Sequence, residues 1–125
     1  MKYKEIQLGQ KAEMSVTILE DDREKYISLS GDNNSIHTEN NIVHGMLIGA
    51  YVSKFIGTQF PGDGVVIISC YLDFVVPIRW GEKILIKGVV KHKFDPFRQA
   101  TIDILILDNH DSICISGSVK VKIPE

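Results

Sequence analysis

Residues 43–56 form the segment that most constrains the fold of this chain, because they read VHGMLIGAYVSKFI. At helical spacing this segment is apolar around nearly its whole circumference, with Ser53 and Lys54 as the main exceptions. A helix of this kind is predicted to be buried on most of its faces. The rest of the chain must therefore supply a surface that covers it.

The segments around this helix have the composition and alternation of β-strands. Strands are predicted at residues 11–16, 65–75, 83–92, 100–107 and 113–123. The side chains of the last strand that are predicted to face inward are Ile113, Ile115, Val119, Val121 and Ile123. One apolar helix and several antiparallel strands predict a single α+β domain over residues 1–125, with a curved sheet wrapped around the central helix. This arrangement is the hot-dog fold.

Another helix is predicted in the N-terminal half of the chain. Residues 17–20 read TILE, the S/T-x-x-E form of a capping box, which predicts Thr17 as N-cap of a helix running to about Leu29. Residues 20–22 are all acidic, as the first turn of a helix favours. Gly31 is placed to end this helix, and the Asp, Asn and Ser content of residues 30–41 predicts a turn-rich loop.

Composition and charge exclude several kinds of binding partner and indicate a cellular compartment. The 125 residues carry a formal net charge of −2, so no face for nucleic acid is expected. No run approaches the roughly 18 apolar residues that span a bilayer, and no leader-like segment is visible, so no membrane association and a cytoplasmic location are expected. Cys70 and Cys114 are predicted to be buried small hydrophobes in a reducing compartment.

The loop after the first helix contains Asp32 and His37, separated by a turn-forming tetrapeptide. A carboxylate that orients a water and an imidazole that accepts its proton make up a minimal set for general acid–base catalysis near neutral pH. Taken alone, this pair favours a structural interpretation, in which Asp32 caps a turn and His37 is an ordinary loop histidine.

Gly45 lies at the start of the buried helix. A glycine there lets a ligand approach the backbone, and its N–H is one of the donors left free at a helix start, suited to a thioester or ester carbonyl. Alternatively, Gly45 only allows the helix to pack tightly. A metal site built from His37, Glu39 and His44 has no standard ligand spacing, so neither a metal nor a cofactor is predicted.

Three stretches of the chain resemble the MaoC-like, (R)-specific enoyl-CoA hydratases. Residues 26–37, YISLSGDNNSIH, resemble the hydratase motif of that family. Residues 42–47, IVHGML, are similar to the start of its central helix, and residues 74–82, FVVPIRWGE, resemble its strand–turn–strand segment. The resemblance covers nearly the whole chain in the correct order.

This resemblance implies a hot-dog homodimer that adds water reversibly across a trans-2-enoyl thioester of CoA or a carrier protein. It implies that Asp32 and His37 activate the water and deliver the C2 proton, and that the Gly45 N–H holds the thioester carbonyl. Asn34 would brace the loop. The chain departs from the family pattern at Ser35, where proline is usual, and in having only residues 38–43 between His37 and the helix start.

Two other functions remain open at this point. Thioesterases of the same fold commonly place a carboxylate on the central helix, but residues 45–57 contain none. The shortened connection at residues 38–43 instead raises the alternative of a non-catalytic subunit that binds acyl thioesters.

Overall fold

The computed structural model describes all 125 residues as one antiparallel sheet of five strands with helices on it. The elements in chain order are β1 (Lys11–Thr17), α1 (Glu20–Ser30), α2 (Ser35–Thr38), α3 (Gly45–Thr58), β2 (Val66–Phe74), β3 (Lys83–Phe94), β4 (Gln99–Leu107) and β5 (Ile113–Lys122), with short 3-10 helices at Tyr3–Glu5 and Asp95–Phe97. The strand order is β1-β3-β4-β5-β2, and every pairing is antiparallel. The α+β hot-dog architecture predicted from the sequence is therefore confirmed.

The core forms where α3 packs against the inner face of the sheet. The helix contributes Leu47, Ile48, Val52, Phe55 and Ile56, all buried. The backbone of β3 lies close to the helix at Gly88, where an added Cβ would lie 2.8 Å from Cε2 of Phe55. The helix is buried on most of its faces, as predicted, and one stripe that includes Met46, 71% exposed, faces solvent.

Helix α1 begins later than the capping-box pattern predicts. Thr17 pairs with Lys83 as the last residue of β1, and Ile18 is fully buried, so the chain is still extended there. The N-cap is Leu19, whose N–H donates to the Asp22 carboxylate at 3.2 Å. Thr17 is therefore not the N-cap, although the acidic first turn of the helix is present as predicted.

The loop after α1 is more ordered than its composition suggests. Gly31 has φ +75° and its N–H donates to the Ile27 carbonyl at 2.8 Å, which ends α1 as predicted. The short helix α2 follows and was not predicted. It forms because the Asn34 side chain caps its first turn.

Two burial predictions in the strands are wrong. Ile113 is 49% exposed, because the β4–β5 register shifts between Ile106 and Leu107 and Cys114 takes the inward position. A β-bulge of this kind reverses the facing of the residues beyond it. Cys70 is exposed rather than buried, since it lies on β2, a strand at the edge of the sheet.

Strand β2 is apolar and exposed along most of its length. It pairs only with β5, and its exposed apolar residues are Val66, Ile67, Ile68, Tyr71 and Phe74. Natural edge strands usually carry charges, prolines or short lengths that prevent further pairing. The nine residues of β2 have none of these features except Asp73.

None of the helices has both the length and the apolar content needed to cross a membrane.

Candidate active site

The loop that carries Asp32 is held by its own side-chain hydrogen bonds. After the left-handed turn at Gly31, the Asp32 N–H donates to Oγ of Ser30 at 3.0 Å. The Asp32 Oδ1 in turn accepts the N–H of Asn34 at 3.2 Å. These short-range bonds are typical of Asx turns. They leave Oδ2 of Asp32 free to act outside the loop.

Asn34 links this turn to α2. Its Oδ1 accepts the Ile36 N–H at 3.1 Å, so the side chain is hydrogen-bonded to the backbone of α2. This contact is the one expected of a loop brace, which is the role predicted for Asn34. The cap also sets the position of His37, the third residue of α2.

His37 is oriented by the backbone on one side and faces Asp32 on the other. Its Nδ1 lies 2.8 Å from the Ile42 carbonyl oxygen, which can only accept, so Nδ1 carries the proton and donates. In the neutral ring, Nε2 is then an acceptor. Nε2 lies 3.7 Å from Oδ2 of Asp32, too far for a direct hydrogen bond but close enough for both atoms to contact one water.

The two side chains of this pair differ in exposure. The His37 side chain is 13% exposed, and that of Asp32 is 48% exposed. A substrate can therefore reach the carboxylate from solvent, while most of the imidazole is enclosed. The structure thus brings together the two residues that the sequence analysis identified as a candidate acid–base pair.

His44 lies directly behind this pair. Its Nε2 lies 2.8 Å from the backbone carbonyl of Asp32, to which it donates, and its ring stacks on His37 with centroids 3.7 Å apart. The rings of Tyr26 and Trp80 lie on its other sides, with centroids at 4.7 Å and 5.9 Å. His44 is only 2% exposed, and its Nδ1 is buried without a hydrogen-bond partner.

The potential metal ligands in this region are Asp32, His37 and His44, whose ligand atoms lie within 4.8 Å of one another. Glu39, considered in the sequence analysis, is not in this group. The two imidazole planes are within 22° of parallel, so their nitrogen lone pairs run side by side and do not converge on one point. The arrangement suits proton transfer better than metal coordination.

Gly45 is the first residue of α3 and follows directly after His44, its N-cap. The His44 carbonyl accepts the N–H groups of Leu47 and Ile48, whereas the Gly45 N–H has no backbone acceptor. A Cβ on Gly45 would lie 3.1 Å from Cε1 of Phe74. Close packing against Phe74 is therefore one reason for a glycine here, and its N–H is also free. That this N–H binds a thioester carbonyl stays a prediction.

Helix α1 is fixed to α3 beside the site. The Tyr51 hydroxyl donates to the Asp22 carboxylate at 2.8 Å. Burial raises the pKa of Tyr51 well above its usual value, and the bond to Asp22 raises it further. The phenol therefore stays protonated and keeps donating to Asp22. This bond ties α1, which leads into the Asp32 loop, to α3.

The structural roles of His44 and Trp80 were not predicted from the sequence. His44 was considered there only as a metal ligand, yet it is the one polar residue that the fold buries. Trp80 donates from Nε1 to the His37 carbonyl at 3.1 Å. The position of His44 directly before Gly45, at the start of the buried helix, was the feature that could have indicated its role. Nothing in the sequence indicated that Trp80 reaches the loop.

Comparison with known proteins identifies the family. No family model matches the chain. An (R)-specific enoyl-CoA hydratase of Rhodospirillum rubrum is 32% identical over 137 aligned positions, which cover 98% of this chain and 91% of the relative. The chain belongs to the (R)-specific enoyl-CoA hydratase family. The assignment made from the three sequence motifs is thereby confirmed.

Solved structures of this hydratase family match the fold closely. An unliganded (R)-hydratase from Pseudomonas aeruginosa superimposes with a TM-score of 0.93 at 28% identity, covering 99% of this chain and 86% of that one. The (R)-hydratase from Aeromonas caviae gives a TM-score of 0.89 at 26% identity, covering 95% and 98%. The structural similarity to these hot-dog hydratases thus covers nearly the whole chain.

Proposed function

We propose that this chain adds water reversibly across the double bond of a trans-2-enoyl thioester, giving a 3-hydroxyacyl thioester. The observation that carries the proposal is the 3.7 Å separation of His37 Nε2 and Asp32 Oδ2, with His37 fixed in the tautomer that accepts at Nε2. General acid–base groups so placed typically contribute about 10²–10⁴-fold to a rate.

In the hydration direction, Asp32 orients a water and His37 Nε2 accepts one of its protons. The hydroxyl oxygen bonds to C3, and the electron pair of the double bond shifts toward the thioester carbonyl. The Gly45 N–H stabilises the negative charge that develops on that oxygen. The Asp32–His37 pair then delivers a proton to C2, and dehydration follows the same steps in reverse.

We propose further that two copies of the chain associate through β2. This strand is an unprotected edge with a row of exposed apolar side chains, and a second β2 would satisfy its free backbone groups. Phe74 belongs to the same strand, and its ring lies 3.1 Å from the position that a Cβ on Gly45 would take. A partner on β2 would therefore lie next to the proposed site.

The proposed substrate is an acyl-CoA thioester, with an acyl-carrier-protein thioester as the alternative, and the proposed compartment is the cytoplasm. The two cysteines are both free thiols, and Cys70 is exposed, which suits a reducing compartment. The proposed chemistry needs no cofactor, because water and the two side chains supply every proton that moves.

Loss of the conjugated enoyl absorbance of crotonyl-CoA tests the activity. We expect turnover without release of free thiol. Free thiol would identify a thioesterase, although α3 carries no carboxylate. Tight binding of crotonyl-CoA and carrier-protein esters without turnover would identify a binding subunit. Either outcome would overturn the proposed hydratase activity.

A further inference from the structure

Residues 38–43 form the short connection between the two stacked histidines. Beyond the end of α2 they form no helix or strand, but Ile42 makes an isolated antiparallel β-bridge with Arg79. The segment just before β3 holds this connection along its length. The Val43 N–H donates to the Ile78 carbonyl at 2.8 Å, and the Trp80 N–H donates to the Asn41 carbonyl at 3.2 Å. These bonds fix the connection on both sides of Ile42, whose carbonyl orients His37.

The side chains of the same segment reach further toward the site. The Arg79 guanidinium donates to the Asn40 carbonyl at 3.0 Å. The Trp80 indole donates from Nε1 to the backbone carbonyl of His37 at 3.1 Å. The Trp80 side chain therefore holds the His37 backbone directly. The Trp80 backbone also holds Asn41, which precedes the Ile42 carbonyl that accepts from His37.

The indole ring is itself fixed in place. It is 7% exposed, lies edge-on to His44 at 5.9 Å, and has the Arg23 guanidinium 5.6 Å from its centroid on a face. A cation over an indole face is a favourable contact. These contacts hold the indole in one position in the core, from which it can fix the backbone of His37.

We propose that Trp80 is a positioning residue for the hydration reaction, a role that rests on the proposed function. Helix α2 has four residues, too few to be stable without tertiary contacts. The Nε1–H of Trp80 keeps the His37 backbone in place, so that Nδ1 meets the Ile42 carbonyl and Nε2 faces Asp32. A displacement of about 1 Å at a reacting group can cost on the order of 10²-fold in rate.

Trp80→Phe tests this role, because phenylalanine keeps an aromatic ring in the core and removes the donor together with some buried volume. We expect kcat for crotonyl-CoA to fall by about 10-fold or more with little change in KM, since the group lost orients the base and does not bind substrate. We also expect the His37 Nδ1–H proton, assigned by NMR with His37→Gln, to exchange faster with water.

Phe60→Leu is the matched control. Phe60 is 2% exposed at the far end of α3, so its truncation destabilises the core without touching the connection. It should leave the His37 proton signal and kcat unchanged at temperatures where the protein is folded. If Trp80→Phe does not fold, Arg79→Met provides the test, because exposed Arg79 holds the same connection at Asn40.

Unchanged kcat and unchanged exchange of the His37 proton in these variants would overturn the positioning role. The NMR signal separates this result from failure of the proposed function. If the wild-type protein does not hydrate any enoyl thioester, faster exchange in Trp80→Phe would still show that Trp80 positions His37, and the hydratase assignment alone would fall.

Discussion

The imidazole of His44 stacks on that of His37 with ring centroids 3.7 Å apart, and only one of the two reaches solvent. His44 donates to the Asp32 backbone while its ring supports His37. One buried side chain therefore touches both members of the proposed acid–base pair. This relationship predicts that His44 affects catalysis without contacting substrate.

Two replacements of His44 separate its two contacts. His44→Phe keeps the stacking and loses the bond to Asp32, whereas His44→Gln keeps a donor and loses the ring. We expect kcat of His44→Phe to fall by about 10-fold while its stability changes little, since the unpartnered Nδ1 is removed together with the bond. Steady-state kinetics and thermal melts check this. A full rate for His44→Phe would refute the importance of the bond.

Gly45 has a packing role and a proposed carbonyl-binding role, and double variants distinguish them. Gly45→Ala alone should require the Phe74 ring, which is 50% exposed, to shift by a few tenths of an ångström, because the added Cβ would lie 3.1 Å from its Cε1. Adding Phe74→Leu should relieve this contact and keep much of the activity, since alanine retains the N–H. The comparison is then with Gly45→Pro in the same Phe74→Leu background.

Proline suits this position, because Gly45 is the first residue of α3 and His44 before it has φ −57° and ψ 128°. Compared with alanine, proline therefore removes the N–H and adds two ring carbons without changing the backbone conformation. We expect kcat of the proline double variant to be about 10²–10³-fold lower than that of the alanine double variant. Equal kcat values would show that the Gly45 N–H does not bind the thioester carbonyl.

The apolar edge of β2 predicts self-association. Tyr71 is 60% exposed on this strand, and Tyr71→Lys would place a charge on each copy at the proposed interface. We expect the wild-type protein to sediment as a dimer and Tyr71→Lys as a monomer with reduced activity. Phe97→Lys is the control, because Phe97 is 59% exposed on the β3–β4 connection. Dimers of equal stability in all three proteins would contradict pairing through β2.

Asp108 predicts a pH dependence of stability. Its carboxylate accepts the N–H groups of His110 and Ser112 at 2.8 Å and 3.1 Å, and these bonds hold its pKa below the usual 3.8. A pKa lowered by folding stabilises the folded state above the unfolded value, and the stabilisation is lost as pH falls through the lowered pKa.

Asp108→Asn should therefore melt at a lower temperature than the wild-type protein at pH 7, with a difference that shrinks below pH 3.8. Asp111→Asn, in the same turn but without these bonds, should show no such trend. A difference between Asp108→Asn and wild type that stays constant with pH would contradict the assigned cause.

The sequence predicted most of the fold because the apolar helix and the alternating strands are local patterns. Local patterns and the family resemblance also singled out Asp32, His37 and Gly45 as candidate site residues. The structure brings Asp32 and His37 together, and the roles of all three residues stay predictions. The burial errors at Ile113 and Cys70 came from features set by partners, namely a bulge against β4 and an edge position in the sheet. Thr17 failed as an N-cap because strand pairing with β3 prevailed over local propensity.

The contacts of His44 and Trp80 could not be predicted from the sequence either, because they too depend on tertiary neighbours. Trp80 lies 43 positions from His37 in the chain, and only the tertiary fold brings its indole to that carbonyl. The short connection at residues 38–43, which weakened the prediction of an active site, is held at several points by the segment around Trp80.

The stereochemistry and rate of crotonyl-CoA hydration test the central claim most directly, measured side by side for the wild-type protein, Asp32→Asn and His37→Gln. The two variants preserve shape and remove the carboxylate or the imidazole. We predict that the wild-type protein forms only (R)-3-hydroxybutyryl-CoA and that each folded variant loses about 10²–10⁴-fold in kcat/KM. Near-wild-type rates in both variants, or an (S) or racemic product, would contradict the account.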